Sequence, residues 1–381
     1  MQKKSLPGSA VFFLSALLLA FLAFSIISCS KTAPVGRTKP SFELHAQRWP
    51  EAEMLFKRDR YWLGGDGAYS LILGPGRVLW LFGDSFIGNG SSRDRKDAGI
   101  VRNTIAIQKG CDPAVSSAAF YWKTVKGKPA AFFPSREPSW YWPGSGIRIR
   151  DRLLVFLMEV EPSANRLGFA PKGWDAVLVA NPDEDPDKWS MTDLEAPQNR
   201  FGVIVGSACC ILEGGYLYAF GADAVHHGAF LVRWRLSDAV RGKLTDIEWW
   251  TGSQGWLGQD RLTRCPDPLF PGAQMEFTVH YEKASKRFFE IQTGSFFDPC
   301  LVYRSSKSLT GPWSGKVPFY CPQEAEAKGL LVYAGKAHPG LAGADLVCTY
   351  AQNSLDQERL LKDDSLYYPV FVKADFIVHA Q

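Results

Sequence analysis

What the sequence lacks narrows the field first. Lysine and arginine together number 43 against 39 acidic residues, a net charge of only +4, and neither sign is gathered into a block. Nucleic-acid binding leaves a clustered basic footprint, so nucleic acid is not an expected partner. No Cys-x-x-Cys pair or Cys/His spacing of the kind that holds zinc occurs. Neither a P-loop nor a dinucleotide-type glycine loop is present, so no nucleotide or redox cofactor is expected. Long helical periodicity is nearly absent, and the one long apolar run is Val11–Ile27, broken only by Ser15 and Ser25.

That run begins the positive reading. Lys3 and Lys4 precede it and Ile26-Ile27-Ser28-Cys29 ends it. A basic start, an apolar core and small residues at the cut mark a secretory signal. The cysteine after an aliphatic-aliphatic-small triplet resembles a bacterial lipobox, in which the Cys is acylated and becomes the mature N-terminus. An uncleaved anchor helix is the competing reading, and the run lies near the lower limit for spanning, roughly 17 residues. Ser30 follows where Asp would signal inner-membrane retention in Gram-negative lipoproteins, which leans toward the outer membrane. The expected layout is a signal peptide over 1–29 with lipid on Cys29, a tether over 30–59, and one folded domain over 60–376. Of eight cysteines, seven remain after Cys29, so at least one thiol is free; no pairing is assigned.

Aromatic residues make up 13% of the chain, with 13 tryptophans. Large aromatics fill cores first. They also form flat platforms for sugar rings, and several lie in Gly/Pro-rich loops: Trp140, Tyr141, Trp142, Trp174 and Trp256.

A short β pattern recurs every 60 to 70 residues or so. Its copies are Arg77–Gly83, Arg152–Met158, Gly215–Gly221, Lys286–Gln292 and Ala344–Tyr350. Each follows a turn and a preceding strand, and each precedes another strand. Tryptophan-bearing outer segments come after most of them. Repeated units of four short strands are the signature of a propeller. The expected fold is therefore all-β, a single five-bladed β-propeller after the N-terminal segment. An irregular β-sandwich or a pair of β domains is the rival.

In a propeller the first strand of each unit lines the axis, and its rim residues converge although far apart in sequence. In the first unit, Ala68–Leu73 and Arg77–Phe82 form a hairpin around Gly74-Pro75-Gly76. Asp66 precedes its first strand and Asp84 follows its second, so both carboxyls meet at the open end. On that window alone, Gly-Asp-Gly and Gly-Asp-Ser read as turn signals; the repeat raises the odds of a site. The other units offer Ser139–Gly146, Ser207, Glu276, and Lys336 with His338.

At this point the residues carry a resemblance. Gly-Asp-Gly-Ala-Tyr-Ser from Gly65, Leu-Trp-Leu-Phe-Gly-Asp-Ser-Phe to Phe86, Arg102-Asn103, Tyr141-Trp142-Pro143-Gly144, Ser305–Trp313 and Lys336-Ala337-His338-Pro339 with Tyr350–Ser354 resemble the bacterial family of domain of unknown function 4185. The similarity runs from about Gly64 to Phe376. Members of that family are similar to the five-bladed propeller glycosidases of the arabinanase, invertase and levansucrase group, and some are classed as endo-acting D-arabinanases. The resemblance implies Asp66 as base or nucleophile. Glu276 is the expected general acid, although the family pattern also permits a carboxyl of the second or third unit, and Asp84 would orient Asp66 or raise its partner's pKa. Asn103, Trp142, Lys336 and His338 would hold the sugar. Some such propellers hold an ion on the axis, but no contiguous acidic loop here demands one, and no metal ligand is assigned. One departure is Ser145, where relatives carry an acidic residue or Asn; Glu137 and Glu159 are the nearby carboxyls of that unit.

The leading expectation is a monomeric, envelope-anchored glycoside hydrolase acting on an arabinan-like furanose polysaccharide through paired carboxyls. A sugar-binding propeller without catalysis is the second reading, supported by Ser145. A structural envelope lipoprotein is the third.

Overall fold

The computed structural model describes residues 42–135, 137–165, 168–295 and 298–378. The expected signal peptide, Cys29 and the first part of the tether lie outside these residues. Among the described residues no helix is long and apolar enough to cross a membrane.

The chain is all-β. Sheet one takes Tyr69–Gly74, Arg77–Phe82, Thr104–Lys109 and Ser117–Tyr121 in order. Sheet two takes Trp140–Ile149, Arg152–Pro162, Phe169–Val179 and Met191–Leu194. Sheet three begins with Val203–Glu213, Tyr216–Asp223 and Gly228–Arg235, then adds Glu248–Trp250 and Trp256–Gly258. Sheet four is Thr278–Glu282, Arg287–Thr293, Leu301–Ser306 and Val317–Tyr320. Sheet five is Leu331–Ala337, Leu346–Asn353 and Pro369–Val378, and its outer strand is Phe42–Arg48 from the other end of the chain. Neighbouring strands within these sheets run antiparallel, and each of the five repeated sequence patterns overlaps the second strand of one sheet.

First strands of successive sheets touch. A Cβ on Gly146 would lie 3.0 Å from Leu71, and one on Gly144 would lie 2.6 Å from the Gly206 carbonyl. Tyr69 Oη donates to the Ser207 carbonyl across the middle. The Ala337 amide donates to Thr278 Oγ1 at 2.8 Å, and Ser70 Oγ meets His338 Nδ1 at 2.7 Å. Sheet five thus contacts both sheet four and sheet one, and the arrangement is a propeller-like ring. Apolar residues fill the gap between each neighbouring pair. Phe156, Trp174 and Trp234 pack between sheets two and three, and Phe220, Phe277 and Leu309 between three and four. Phe289, Tyr303 and Val372 join four to five, and Leu79, Leu81 and Val155 join one to two.

The boundary expected at residue 60 is corrected here. Phe42–Arg48 pairs with Pro369–Val378 from Phe42↔Val378 to Arg48↔Val372, and Pro50–Lys57 is a helix. Phe56 is fully buried, with ring centroids 4.9 Å from Trp80 and 5.5 Å from Phe371, so this helix plugs the gap between sheets one and five. The tether therefore does not extend to residue 59. Pro at the first helical turn and acidic residues Glu51 and Glu53 suit the helix start.

A disulfide joins Cys300 to Cys321, while Cys111, Cys209, Cys210, Cys265 and Cys348 are free thiols.

Candidate active site

The local chain explains why Asp66 and Asp84 meet. The Gly83 amide donates to the Asp66 carbonyl at 2.9 Å, which clasps the residue before one strand to the residue after its partner. Gly83 has to be a glycine: a Cβ there would lie 2.6 Å from Asp66 Oδ1. Gly67 (φ 84°) and Ala68 (φ 51°) then turn the chain into the first strand. Left-handed backbone at a non-glycine residue costs energy and gathers at functional sites. Ala334 (φ 55°) and Tyr367 (φ 61°) adopt it too, beside the same carboxyl.

Asp66 accepts from two phenols on one oxygen, Tyr333 Oη at 2.7 Å and Tyr367 Oη at 3.2 Å, both to Oδ2. Its other oxygen faces Gly83. Burial comes first among the causes that push its pKa up to about 7, and the charges of Asp84 and Glu276 add to it. The two phenol hydrogen bonds oppose the shift and lose.

Asp84 is nearly buried and has a cation beside it. Arg102 Nη1 donates to its Oδ2 at 3.1 Å and Trp142 Nε1 to its Oδ1 at 2.8 Å. Burial raises its pKa, while Arg102 and Trp142 pull the other way. Arg102 is itself braced over the Trp140 ring at 4.3 Å. Glu276 lies two residues ahead of the first strand of sheet four, and Lys336 Nζ donates to its Oε2 at 3.1 Å. Lys336 is fully buried, lies 4.4 Å over the Tyr69 ring, and has its pKa lowered by burial against the pull of Glu276. The charge of Glu276 acts on Asp66 and on Tyr333. Asp66, Asp84 and Glu276 therefore form one electrostatic unit, in which, among the described residues, Asp66 alone has no cationic partner.

Four residues expected to hold sugar fare differently. Trp142 is half-buried at the rim, edge-on to Phe169 at 4.9 Å, and forms part of the site's wall. Lys336 belongs to the site through Glu276, because its amine donates there and to the Ala334 carbonyl at 3.0 Å. Asn103 is corrected: it is fully buried, donates to the carbonyls of Phe133 and Tyr141 at 3.1 and 2.9 Å, and accepts from the Phe133 amide at 2.7 Å. Its side chain is a buried clasp between strand and loop, with both amide hydrogens engaged, rather than a sugar contact. His338 is also corrected. Both ring nitrogens are engaged, with Ser70 at 2.7 Å and Thr349 at 2.8 Å, and burial lowers its pKa to about 3. It is a neutral strut between sheets one and five.

Ser145 is buried. Glu159 is tied to Lys172 at 2.8 Å and Glu137 is exposed. Trp174, one of the expected sugar platforms, is a core residue at 5% exposure. Tyr333 and Tyr367 are the site residues that sequence reasoning missed. Among the described residues no group of three His, Cys, Asp or Glu side chains is set to hold a metal ion.

The fold places the chain among propeller-like proteins. Residues 51–375 match the family described as domain of unknown function 5005, and the chain belongs to that family. The motifs had suggested the family numbered 4185; 5005 is the one matched. No curated protein sequence matches the chain. Among solved structures, a Bacteroides ovatus protein thought to be a hydrolase is 17% identical, with a TM-score of 0.69 over 87% of this chain and 90% of that one. At that identity the likeness is one of fold. Two further structures are more distant. The family-43 subfamily-1 glycoside hydrolase of Xanthomonas citri, complexed with xylotriose, has a TM-score of 0.43 at 12% identity over 84% of this chain and 88% of that one. The α-L-arabinofuranosidase of Podospora anserina, in complex with cellotriose, has a TM-score of 0.44 at 8% identity over 84% and 92%.

Proposed function

We propose that the chain is a glycoside hydrolase whose five sheets are the blades of a single five-bladed propeller, with the site at one end of the axis. One observation carries this reading: Asp66 titrates near neutrality between two carboxyls that each have a cation. Glycoside hydrolysis needs one carboxyl protonated and one ionised at the same pH. Asp66 is the proton carrier. Glu276, paired with Lys336, is the base or nucleophile. Asp84, paired with Arg102, raises the Asp66 pKa through its charge. The expectation had Asp66 as base and Glu276 as acid; the cation beside Glu276, and the lack of one beside Asp66 among the described residues, argue for the exchange. The proposed substrate class is an arabinan-like furanose polysaccharide, passing Trp142 and Phe169 at the rim.

The test is release of reducing ends from a panel of arabinan, xylan and galactan. Release from none of them would overturn the reading. Binding without release would instead favour the sugar-binding propeller, which the buried Ser145 supports.

Tyr333→Phe separates the two role assignments. Losing a hydrogen bond to a charged group costs about 1.5–3 kcal/mol, so the Asp66 pKa should climb by roughly one to two units. With Asp66 as acid, the alkaline limb of the pH–rate profile moves up. A shift of the acidic limb would restore Asp66 as the base.

The N-terminal reading stands as part of the proposal: export, acylation on Cys29 and attachment at the outer membrane. A fatty-acid probe should label the full chain, and Cys29→Ala should lose that label. Undiminished labelling would remove the anchor.

A further inference from the structure

Trp256, singled out in the sequence as a sugar platform, has no place at the carboxylate rim. It lies in a cleft of about 180 Å³ between sheets three and four, with Tyr218, Glu213 and Lys307 among the lining residues. This cleft is at the turn ends of the sheets. Glu213 pairs with Tyr216 where the first two strands of sheet three join, and Phe288, also in the lining, pairs with Tyr281 near the same turn of sheet four. Glu276 is at the opposite end of that first strand, five residues from Tyr281, which is roughly 16 Å at 3.3 Å per residue. The two places are separate.

The rings are held in advance. The Arg233 guanidinium sits 4.1 Å from the Tyr216 ring and 4.2 Å from the Trp256 ring, and Arg233 Nε bonds Glu248 at 2.7 Å. Tyr218 leans on Trp256 with centroids 5.6 Å apart, and both rings stay partly exposed. A braced guanidinium fixes aromatic faces that solvent would otherwise leave mobile. Arg233 has its charge met by Glu248. That leaves Glu213 and Lys307, one of each sign, both exposed and neither in an ion pair among the described residues.

Fixed, half-open aromatic faces take the C–H face of a sugar, and an unpaired carboxylate and amine beside them take its hydroxyls. The balance of charge suits neutral chains over uronates. We propose that this cleft is a second carbohydrate-binding site for a neutral polysaccharide, which keeps the polymer on the protein while the carboxylate rim acts. The proposal rests on the glycosidase reading for its ligand class but uses none of its residues.

The test is affinity electrophoresis of the full chain through gels cast with neutral arabinan or neutral galactan. Wild type should be retarded in at least one gel. Trp256→Ala should weaken that retardation at least tenfold, Lys307→Ser should weaken it less, and Trp256→Phe should restore most of it. Melting curves and hydrolysis of a soluble arabinotriose, unchanged within twofold, show that Trp256→Ala has kept the fold and the rim. Equal retardation of wild type and Trp256→Ala overturns the proposal, as does a wild type that neither gel retards. If the rim reading fails instead, no arabinotriose is cleaved by any form while the Trp256-dependent retardation persists.

Discussion

Asp66→Asn should abolish hydrolysis and yet yield a protein that melts higher at pH 8. Loss of a carboxyl that moves the proton should cost at least about a thousandfold in rate. The stability gain follows from linkage. The folded-state pKa is raised from 3.8 to about 7, so the native state binds its proton more tightly than the unfolded chain. That favours folding fully below about pH 4, and the benefit is lost as pH rises through about 7. Three units correspond to about 4 kcal/mol at most. Because the carboxyl keeps some contact with solvent, about 1–3 kcal/mol is the expected gain for the neutral amide at pH 8. Asn retains an acceptor for Tyr333, so at pH 4 the two proteins should melt alike. Denaturant unfolding at both pH values, beside the reducing-end assay, checks this. Equal stability at pH 8 would mean that Asp66 is not strained by its neighbours.

The second large effect lies away from the site. Glu290 is completely buried in sheet four, directly opposite Arg304 on the next strand, whose Nη1 donates to its Oε2 at 3.0 Å. Arg304 also donates to the Pro271 carbonyl at 2.7 Å and lies 4.5 Å from the Phe270 ring. Burial already pushes the Glu290 pKa up to about 7 against the pull of Arg304 and Lys316. Arg304→Met leaves that carboxyl without its partner and should cost about 3–5 kcal/mol at pH 8. At pH 5 Glu290 takes up a proton in the folded state, and the loss should shrink. Adding Glu290→Leu should recover most of the stability, since replacing both partners with apolar groups is far cheaper than removing one. Melting of the single and double variants at the two pH values decides it; a pH-independent loss would show that packing, not charge, is what Arg304 supplies.

The second strands were the most legible part of the fold. Patterns such as RVLWLFG and GYLYAFG are short apolar runs bounded by turns, and burial on both faces of a sheet forces such runs. Asp66, Asp84 and Glu276 were legible because each adjoins a strand end whose place in the repeat could be counted. Asn103 and His338 were misjudged because their hydrogen-bond partners, Phe133 and Tyr141 for one and Ser70 and Thr349 for the other, come from other strands and loops. No local pattern marks Tyr333 or Tyr367 as phenols aimed at Asp66. The strand Phe42–Arg48 did leave a sign, since Phe42 and Leu44 are buried with an exposed Glu43 between them. Its partner stands at the far end of the chain, so neighbouring sequence gave that alternation nothing to pair with.

That pairing has a consequence in time. Among the described strands Phe42–Arg48 is made first and Pro369–Val378 last. Until the final strand arrives, the early one has no ladder to join, and Phe56 has no Phe371 to meet. Contacts so distant along the chain are slow to form and leave strand edges open while they wait. The ring therefore stays open at this seam until Pro369–Val378 has been made.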